Sequence, residues 1–287
     1  MKLILSRKGF DSTSGGCASP ILPDDRLRSL PIPCKEDTIK FSEIYEKEEE
    51  YSIGEIVKSL PSRLKCDTAH LDPDIDFKSI VRNGIEEKDW RGVFGQGDGA
   101  QTHLDEQKVK DGDLFLFYGW FRKTTIDKPE GLEFKKRKEA PDLHVIWGWL
   151  QIDTEGIVKV TKDNVQEIIA KYPWIENHPH IHIAKRGEKY KRKDGTPIEK
   201  SAIYIGKKEL NIPGLKFKSS LPGYGIFKKF KPVLQLTADG KSRSFWNPKI
   251  NWLVENMSKH RQEHVCDISK APPEITEWLQ SIFDCAE

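Results

Sequence analysis

The sequence contains few cysteines and no long apolar run. Only 5 of its 287 residues are cysteine, an odd number, and they are scattered without a Cys-x-x-Cys spacing. This usage argues against a disulfide framework and suits free thiols in a reducing compartment. No apolar run approaches the roughly 20 residues that span a bilayer, and the first residues do not read as an export signal. We therefore expect a cytoplasmic protein with no membrane partner.

The sequence also lacks an excess of charge of one sign. Its 47 lysines and arginines are balanced by 45 aspartates and glutamates, which leaves a formal net charge of +2. The net charge of the whole chain therefore gives no argument for or against nucleic-acid binding. Only local patches of charge can give such an argument. Apolar residues make up 37% of the chain and charged residues 32%, which predicts a globular protein with a well-solvated exterior.

Strand patterns dominate the middle of the sequence. These segments are short, rich in aromatic or β-branched residues and bounded by glycine, proline or aspartate, and they cover residues 113–123, 143–152, 157–160, 181–184, 202–205 and 233–237. Helical patterns cover only residues 161–172 and 272–283. Strands and helices do not alternate, so we predict an α+β fold in one domain over residues 1–287: a mixed, strand-rich sheet or partial barrel with a few flanking helices.

The first polar segment follows the opening strand and reads SRKGFDSTSGG, residues 6–16. Backbone N–H groups, the cations Arg7 and Lys8 and several hydroxyls at a sheet edge suit an anionic ligand, especially a phosphate. Asp11 could orient Arg7 or bind a ribose-like hydroxyl. The alternative is a polar loop whose glycines allow positive φ angles. We predict that the first strand lies inside the sheet and brings Arg7 and Asp11 to the main cleft.

Two further segments combine histidine with polar partners. In HLDPDI, residues 70–75, His70 precedes Asp72 by two positions, which suits a general base with an orienting carboxylate or a set of metal ligands. A turn with Asp-Pro chemistry explains that segment equally well. In GQGDGAQTHL, residues 95–104, the Gly-Lys-Ser/Thr of a Walker phosphate loop is missing. Its Gln96, Gln101 and His103 suit hydrogen bonds to a base or a sugar.

A third histidine segment reads NHPHIH, residues 177–182. On a strand, histidines at a spacing of two would project from one face and could bind zinc or iron if a carboxylate converged on them. A histidine-rich surface is the alternative. Because Pro179 interrupts the alternation and the sequence shows no convergent carboxylate, we predict no metal here and a His180 more buried than its neighbours.

Taken in order, the segments resemble one family, the nucleotide modification associated domain 3, from residue 2 to about residue 250. The resemblance rests on SRKGFDS, HLDPDI, FGQGDGAQTHL, GDLFLFYGWFR, HVIWGWLQI, NHPH, AIYI, GYGIF and LQLT with a later Ser-x-Trp. It implies a link with modification of nucleotides or DNA bases, and it specifies neither a reaction nor a cofactor.

A second likeness concerns a strand-rich core around residues 86–237. GDLFLFYGWF and HVIWGWLQI are similar to a strand pair in PUA-like barrels that hold modified bases. Trp120, Trp147 and Trp149 could then stack on a flipped base. They could equally be core aromatics, the commoner position for such side chains.

These observations favour a nucleotide- or base-modification protein that binds a nucleotide-like ligand in a polar cleft. The candidate catalytic residues are His70, Asp72, Asp11 and His103, and the candidate ligand-binding residues are Ser6, Arg7, Lys8, Gly9, Gln96, Gln101, Trp120 and Trp149. The corresponding activity would be that of a nucleotide- or base-modifying transferase or hydrolase, with DNA or RNA as a candidate partner. The alternative is a non-catalytic module whose aromatic strands cage a modified base.

Overall fold

A mixed β-sheet forms the centre of the protein. The computed structural model describes residues 1–45, 51–125, 132–186, 201–260 and 262–286. Within these ranges nine strands join one sheet, namely β1 (Lys2–Arg7), β2 (Ser19–Ile21), β5 (Val93–Gly97), β6 (Leu114–Lys123), β7 (Leu143–Lys159), β8 (Ser201–Gly206), β9 (Tyr224–Ile226), β10 (Ser258–His260) and β11 (Glu263–Asp267). A separate two-stranded sheet pairs β3 (Ile32–Pro33) with β4 (Ala69–His70).

The order of the strands places β1 inside the sheet, as predicted. The main path runs β10-β11-β1-β6-β7-β8-β5, with β2 paired to β6 and β9 paired to β7. β1 runs parallel to β6 and antiparallel to β11. Its Leu3, Ile4 and Leu5 are fully buried, because both faces of this strand are covered. The path is open among the described strands, which confirms the mixed α+β sheet and shows no closed barrel.

Six helices flank the sheet in the described part of the chain. They are α1 (Ile53–Ser59), α2 (Asp98–Glu106), α3 (Val165–Lys171), α4 (Pro179–Arg186), α5 (Asn251–Asn256) and α6 (Pro273–Phe283). α6 confirms the helix predicted over residues 272–283, and it buries Ile275, Leu279 and Ile282 at helical spacing. α3 is shorter than the predicted 161–172. Among the described residues, no helix combines the length and apolar character needed to cross a bilayer.

Three predicted elements are wrong. Residues 181–184 belong to α4 and not to a strand, because Ile181 and Ala184 lie one helical turn apart and both pack inward. Residues 233–237 form no regular strand, since Pro232 begins a 3-10 turn over Pro232–Leu234. The sequence also predicts a polar loop over residues 95–103, but these residues contain the end of β5 and most of α2.

The sequence predicts long hairpin loops over two basic segments, residues 123–138 and 185–200, and the first of them contains the base of a hairpin. Thr124 bridges to Phe134, and the backbone of Thr125 donates a hydrogen bond to Glu133. The tip of this segment, residues 126–131, and residues 187–200 of the second lie outside the described residues.

Candidate functional site

The end of β1 separates two polar regions on opposite faces of the sheet. Successive strand residues point to opposite faces, so Ser6 hydrogen-bonds Glu263 on one face whereas Arg7 lies beside Tyr118 on the other. The first region, the Asp72 cluster, consists of Ser6, Lys8, His70, Asp72, Gln96, His178, His180 and Glu263. The second region, the Arg7 cleft, is lined by Arg7, Trp120, Arg137, Pro141, Asp142, His144, Lys241, Ser242, Arg243 and Ser244.

The buried carboxylate of Asp72 is the centre of the first region. Its side chain is only 3% exposed, and the residue lies two positions after the end of β4. Oδ1 accepts a hydrogen bond of 2.7 Å from the backbone N–H of Gly95, and it lies 3.3 Å from Nε2 of His178. Burial alone would raise the pKa of Asp72, but the close rings of His178 and His180 and, to a smaller extent, the positive charge of Lys8 hold it well below its usual range. Asp72 is therefore ionised at neutral pH.

Two further histidines approach the other oxygen of Asp72. The Nε2 atoms of His70 and His180 lie 4.0 Å and 3.7 Å from Asp72 Oδ2. The opposite ring nitrogens are held in place, because His70 Nδ1 is 2.7 Å from Asp37 Oδ2 and His180 Nδ1 is 3.1 Å from Ser201 Oγ. Burial lowers the pKa of His180 to about 3, so its ring is neutral at neutral pH.

A buried ion pair between Lys8 and Glu263 completes the cluster. Lys8 Nζ lies 3.6 Å from Glu263 Oε1, which also accepts hydrogen bonds from Ser6 Oγ at 3.0 Å and from Gln96 Nε2 at 2.7 Å. The ammonium also lies 4.4 Å from the centroid of the Phe94 ring, a favourable cation–π contact. Burial raises the pKa of Glu263, and the charge of Lys8 opposes that shift.

The Arg7 cleft on the opposite face is wide and positively charged. Its volume is about 480 Å³, and four of its lining side chains are cationic, those of Arg7, Arg137, Lys241 and Arg243. Among the described lining residues, Asp142 is the one carboxylate, and it accepts a hydrogen bond of 2.9 Å from Trp120 Nε1. The Arg243 guanidinium lies 4.3 Å from the Trp120 ring. Cations therefore outnumber carboxylates around a partly aromatic wall.

His144 forms a buried wall of this cleft. Its Nδ1 accepts a hydrogen bond of 3.0 Å from Trp246 Nε1, and its ring packs edge-on against Tyr118. Burial lowers the pKa of His144 to about 3, and the positive charges of Arg243 and Arg7 contribute to the same shift. The ring is therefore neutral and acts as a hydrogen-bond acceptor in the folded protein.

The buried, neutral state of His144 predicts a loss of stability in acid. The unfolded chain binds a proton at His144 near the ordinary pKa of 6.5, whereas the folded chain binds it only near pH 3. The stability is therefore complete above about pH 6.5 and falls as the pH decreases toward 3, by about 2 kcal/mol at pH 5. Urea unfolding at pH 7.5 and pH 5 should show this loss, and His144→Gln should reduce it. An equal loss in both proteins would contradict the assignment.

The structure brings together most of the predicted site residues, but in two groups. Ser6, Lys8 and Gln96 join His70 and Asp72 in the Asp72 cluster. Arg7 and Trp120 both line the Arg7 cleft, and Asp11 lies 3.9 Å from Arg7. The proposed partnership of the His70 ring with the Asp72 carboxylate is not a direct hydrogen bond, because Asp37 accepts that bond instead.

Besides Trp149, three predicted site residues lie outside both groups. Gln101 is fully buried and hydrogen-bonds Tyr204 and Asp105. His103 stacks on His260, and Gly9 serves a turn at φ +91°. These positions follow from packing, because α2 turns the side chains of Gln101 and His103 toward the body of the protein.

The three tryptophans proposed as a base cage do not converge. Trp149 is a core residue that packs against Phe227 and Phe283, and its Nε1 donates to the backbone oxygen of Pro222. Trp147 is buried as well. Trp120 alone of the three lines the Arg7 cleft. The geometry therefore gives no support to the cage in the form that the sequence suggested.

The histidine segment differs from its prediction in position and burial. His180 lies on α4 and not on a strand, and the expectation that it is the most buried is wrong, since its side chain is 10% exposed against 1% for His178. The metal-free prediction rested on the lack of a convergent carboxylate. Asp72 provides one, so that reason no longer holds.

Sequence reasoning missed two residues that matter to these regions, Glu263 and Arg243. Glu263 meets Ser6 across 257 positions of sequence, and no local motif surrounds it. Arg243 sits in a polar segment, KSRS, that reads as an ordinary solvated loop. A basic residue close to a tryptophan would have been the sole local signal for it.

Comparison with protein families gives one match. Residues 2–281, nearly the whole chain, match the family described as nucleotide modification associated domain 3. No curated protein and no solved structure matches the chain.

Proposed function

Because the chain belongs to the nucleotide modification associated domain 3 family, we propose that it acts in nucleotide modification and binds a nucleotide-like ligand in the Arg7 cleft. The observation that carries this proposal is the charge of the cleft: four cationic side chains surround about 480 Å³ beside a single carboxylate. A cleft of this volume is within the range of small-molecule sites. A phosphate would neutralise charges that the protein itself leaves in excess.

The individual side chains suit different parts of such a ligand. Arg7 and Arg243 present guanidinium groups, which bind phosphate oxygens through paired, charge-assisted hydrogen bonds. Arg7 has a distant partner in Asp11, at 3.9 Å, and its buried Nε has no hydrogen-bond partner among the described residues. Trp120 adds an aromatic surface beside Arg243, against which a base could stack. The cleft thus offers both a phosphate site and a base site.

The Asp72 cluster lies on the other face of the sheet and does not contact a ligand bound in the Arg7 cleft. Ser6, Lys8 and His70 lie on the opposite face of the sheet from Arg7, so we assign no proton transfer at the Arg7 cleft to them. Within the cleft, the ring of His144 already uses its Nδ1 lone pair to accept from Trp246, and burial holds its pKa near 3, so it is a poor general base. The proposal therefore concerns recognition of the ligand, whether a free nucleotide or a nucleotide within DNA or RNA.

Arg7→Ala is expected to weaken nucleotide binding by about 1.5–3 kcal/mol, the usual contribution of hydrogen bonds to a charged group. Calorimetry with a nucleoside, its monophosphate, its triphosphate and a short single-stranded oligonucleotide measures this effect. The loss should be large for the phosphorylated ligands and small for the nucleoside. Added salt should weaken the binding of the phosphorylated ligands in the wild type and have less effect in the variant.

Arg91→Ala is the matched control, because Arg91 is also an arginine paired with an aspartate, Asp153 at 3.3 Å, beside a different cleft. It should leave nucleotide affinity unchanged. Circular dichroism should show that both variants remain folded. If Arg91→Ala weakens binding and Arg7→Ala does not, or if no phosphorylated ligand binds the wild type, the assignment of the Arg7 cleft is wrong.

A further inference from the structure

The Asp72 cluster contains three ligand atoms that face a common point. His70, Asp72 and His180 each offer one ligand atom, and these three atoms all lie within 4.8 Å of one another. The two distances to the carboxylate oxygen are 4.0 Å and 3.7 Å, which are too long for hydrogen bonds. Two ligands on one tetrahedral ion are about 3.4 Å apart when each bond is about 2.1 Å. The two separations from the carboxylate oxygen exceed that value by about 0.3–0.6 Å and the third is at most 4.8 Å, so a contraction of the three side chains would bring all three atoms onto one ion.

The neighbours of these residues orient the same three atoms. Histidines that bind a metal commonly donate their other ring N–H to a carboxylate or another oxygen, which fixes the ring. Here Asp37 holds Nδ1 of His70, and Ser201 holds Nδ1 of His180. Each hydrogen bond leaves Nε2 directed at Asp72. The arrangement therefore repeats the outer-shell pattern of metal sites on both rings.

The carboxylate of Asp72 is oriented in the same way. Its Oδ1 is occupied by the Gly95 N–H and the ring of His178, which leaves Oδ2 as the atom that faces the other two histidines. The nearby cation Lys8 is paired with Glu263, so its charge is partly neutralised. His70 is 16% exposed and gives an ion a path from solvent.

We infer that His70, Asp72 and His180 bind one divalent transition-metal ion through Nε2, Oδ2 and Nε2. Two imidazoles and one carboxylate suit zinc, iron or a similar ion, and not magnesium or calcium, which prefer oxygen. Three protein ligands leave at least one coordination position for water or another ligand, as in catalytic and not structural zinc sites. This site is separate from the Arg7 cleft and does not rest on the function proposed for it.

A second set of ligands competes for one of these histidines. Cys34, Asp37 and His70 also lie close enough together to hold an ion. That set would use Asp37 as a ligand, whereas the site proposed here keeps Asp37 as the hydrogen-bond partner of the His70 ring. The two sets share only His70. Substitution of Cys34, which belongs to the second set alone, or of His180, which belongs to the first alone, therefore decides between them.

Metal titration of the full-length protein tests the inference. The purified chain is stripped with a chelator and titrated with Co²⁺, followed by visible absorption, and with Zn²⁺, followed by calorimetry. We expect one equivalent per chain and a rise in melting temperature when the metal is added. His180→Gln and Asp72→Asn should each weaken binding by more than about 100-fold, beyond the range of outer-shell changes.

The controls are His182→Gln, on the same helix, and Cys34→Ser. Both should keep the affinity of the wild type. Less than one-tenth of an equivalent on the wild type at micromolar metal would overturn the inference, and this measurement stands even if a ligand variant fails to fold. Full binding by folded His180→Gln, or loss of binding in Cys34→Ser alone, would also overturn it, the latter in favour of the second set.

Discussion

Gly95→Ala is expected to lower the free energy of unfolding by about 3 kcal/mol, at the upper end of the usual cost of overpacking. A Cβ at this position would lie 2.2 Å from Cδ2 of His180 and 2.9 Å from Cε1 of His178. Neither ring can move freely, since His178 is tied to Asp72 and His180 to Ser201. Urea unfolding monitored by tryptophan fluorescence measures the change.

A second substitution tests whether the clash itself causes this loss. His180→Ala removes the ring that the new Cβ would strike, so Gly95→Ala combined with His180→Ala should be less destabilised than the sum of the single variants. The interaction energy should be about 1–3 kcal/mol. If the two losses are strictly additive, or if Gly95→Ala is within about 0.5 kcal/mol of the wild type in stability, the clash with the histidine rings is not the cause of destabilisation.

The sequence predicted much of the fold because its central strands carry a strong local signal. Half of the residues in 114–123 and 143–152 are aromatic or β-branched and several more are leucine, a composition that favours strands over helices. α4 was missed for the opposite reason. Its IHIA stretch alternates like a strand over four residues, and only the tertiary packing of Ile181 and Ala184 shows the helical period.

The candidate site was predictable only in part. The segment SRKG was correctly singled out as polar, yet its two cations were assigned to one phosphate. The two-residue period of a strand sends Ser6 to one face and Arg7 to the other, and this rule alone would have separated Arg7 from Lys8. By contrast, nothing local links Asp72 to His180. Their meeting depends on how α4 packs against β5 and β8, which the sequence does not display.

The separation of the two cations gives the sheet end two chemically different environments. On one face Arg7 faces a wide cleft in which cations exceed carboxylates. On the other, Lys8 is 12% exposed and held between a carboxylate and an aromatic ring. A partly exposed arginine and a mostly buried lysine respond differently to substitution: loss of the first should affect ligand affinity, and loss of the second should affect the fold.

Glu263→Ala is therefore expected to destabilise the protein by about 3–5 kcal/mol, the usual cost of leaving a buried charge without its partner. The substitution removes the acceptor of three groups at once, since Ser6, Gln96 and Lys8 all contact Oε1. Lys8→Met should be costly as well, because it leaves the fully buried carboxylate of Glu263 unpaired. Urea unfolding at constant pH measures both variants.

The double variant Lys8→Met with Glu263→Gln should recover much of this loss. Glutamine keeps an oxygen at the position of Oε1 to accept from Ser6 and Gln96, while no buried charge remains to be compensated.

The pH dependence of stability supplies an independent test. Burial raises the pKa of Glu263 in the folded chain above its unfolded value, so the folded state takes up the proton first and gains stability relative to the unfolded state as the pH falls through that window. Removing Lys8 enlarges this shift. The loss of unfolding free energy caused by Lys8→Met should therefore become smaller toward acid pH. The loss caused by Glu263→Ala should not become smaller in this way, because that variant has no carboxylate at position 263 to take up the proton. Equal penalties at every pH, or a double variant as unstable as the sum of the singles, would mean that Lys8 and Glu263 stabilise the fold independently and not as a pair.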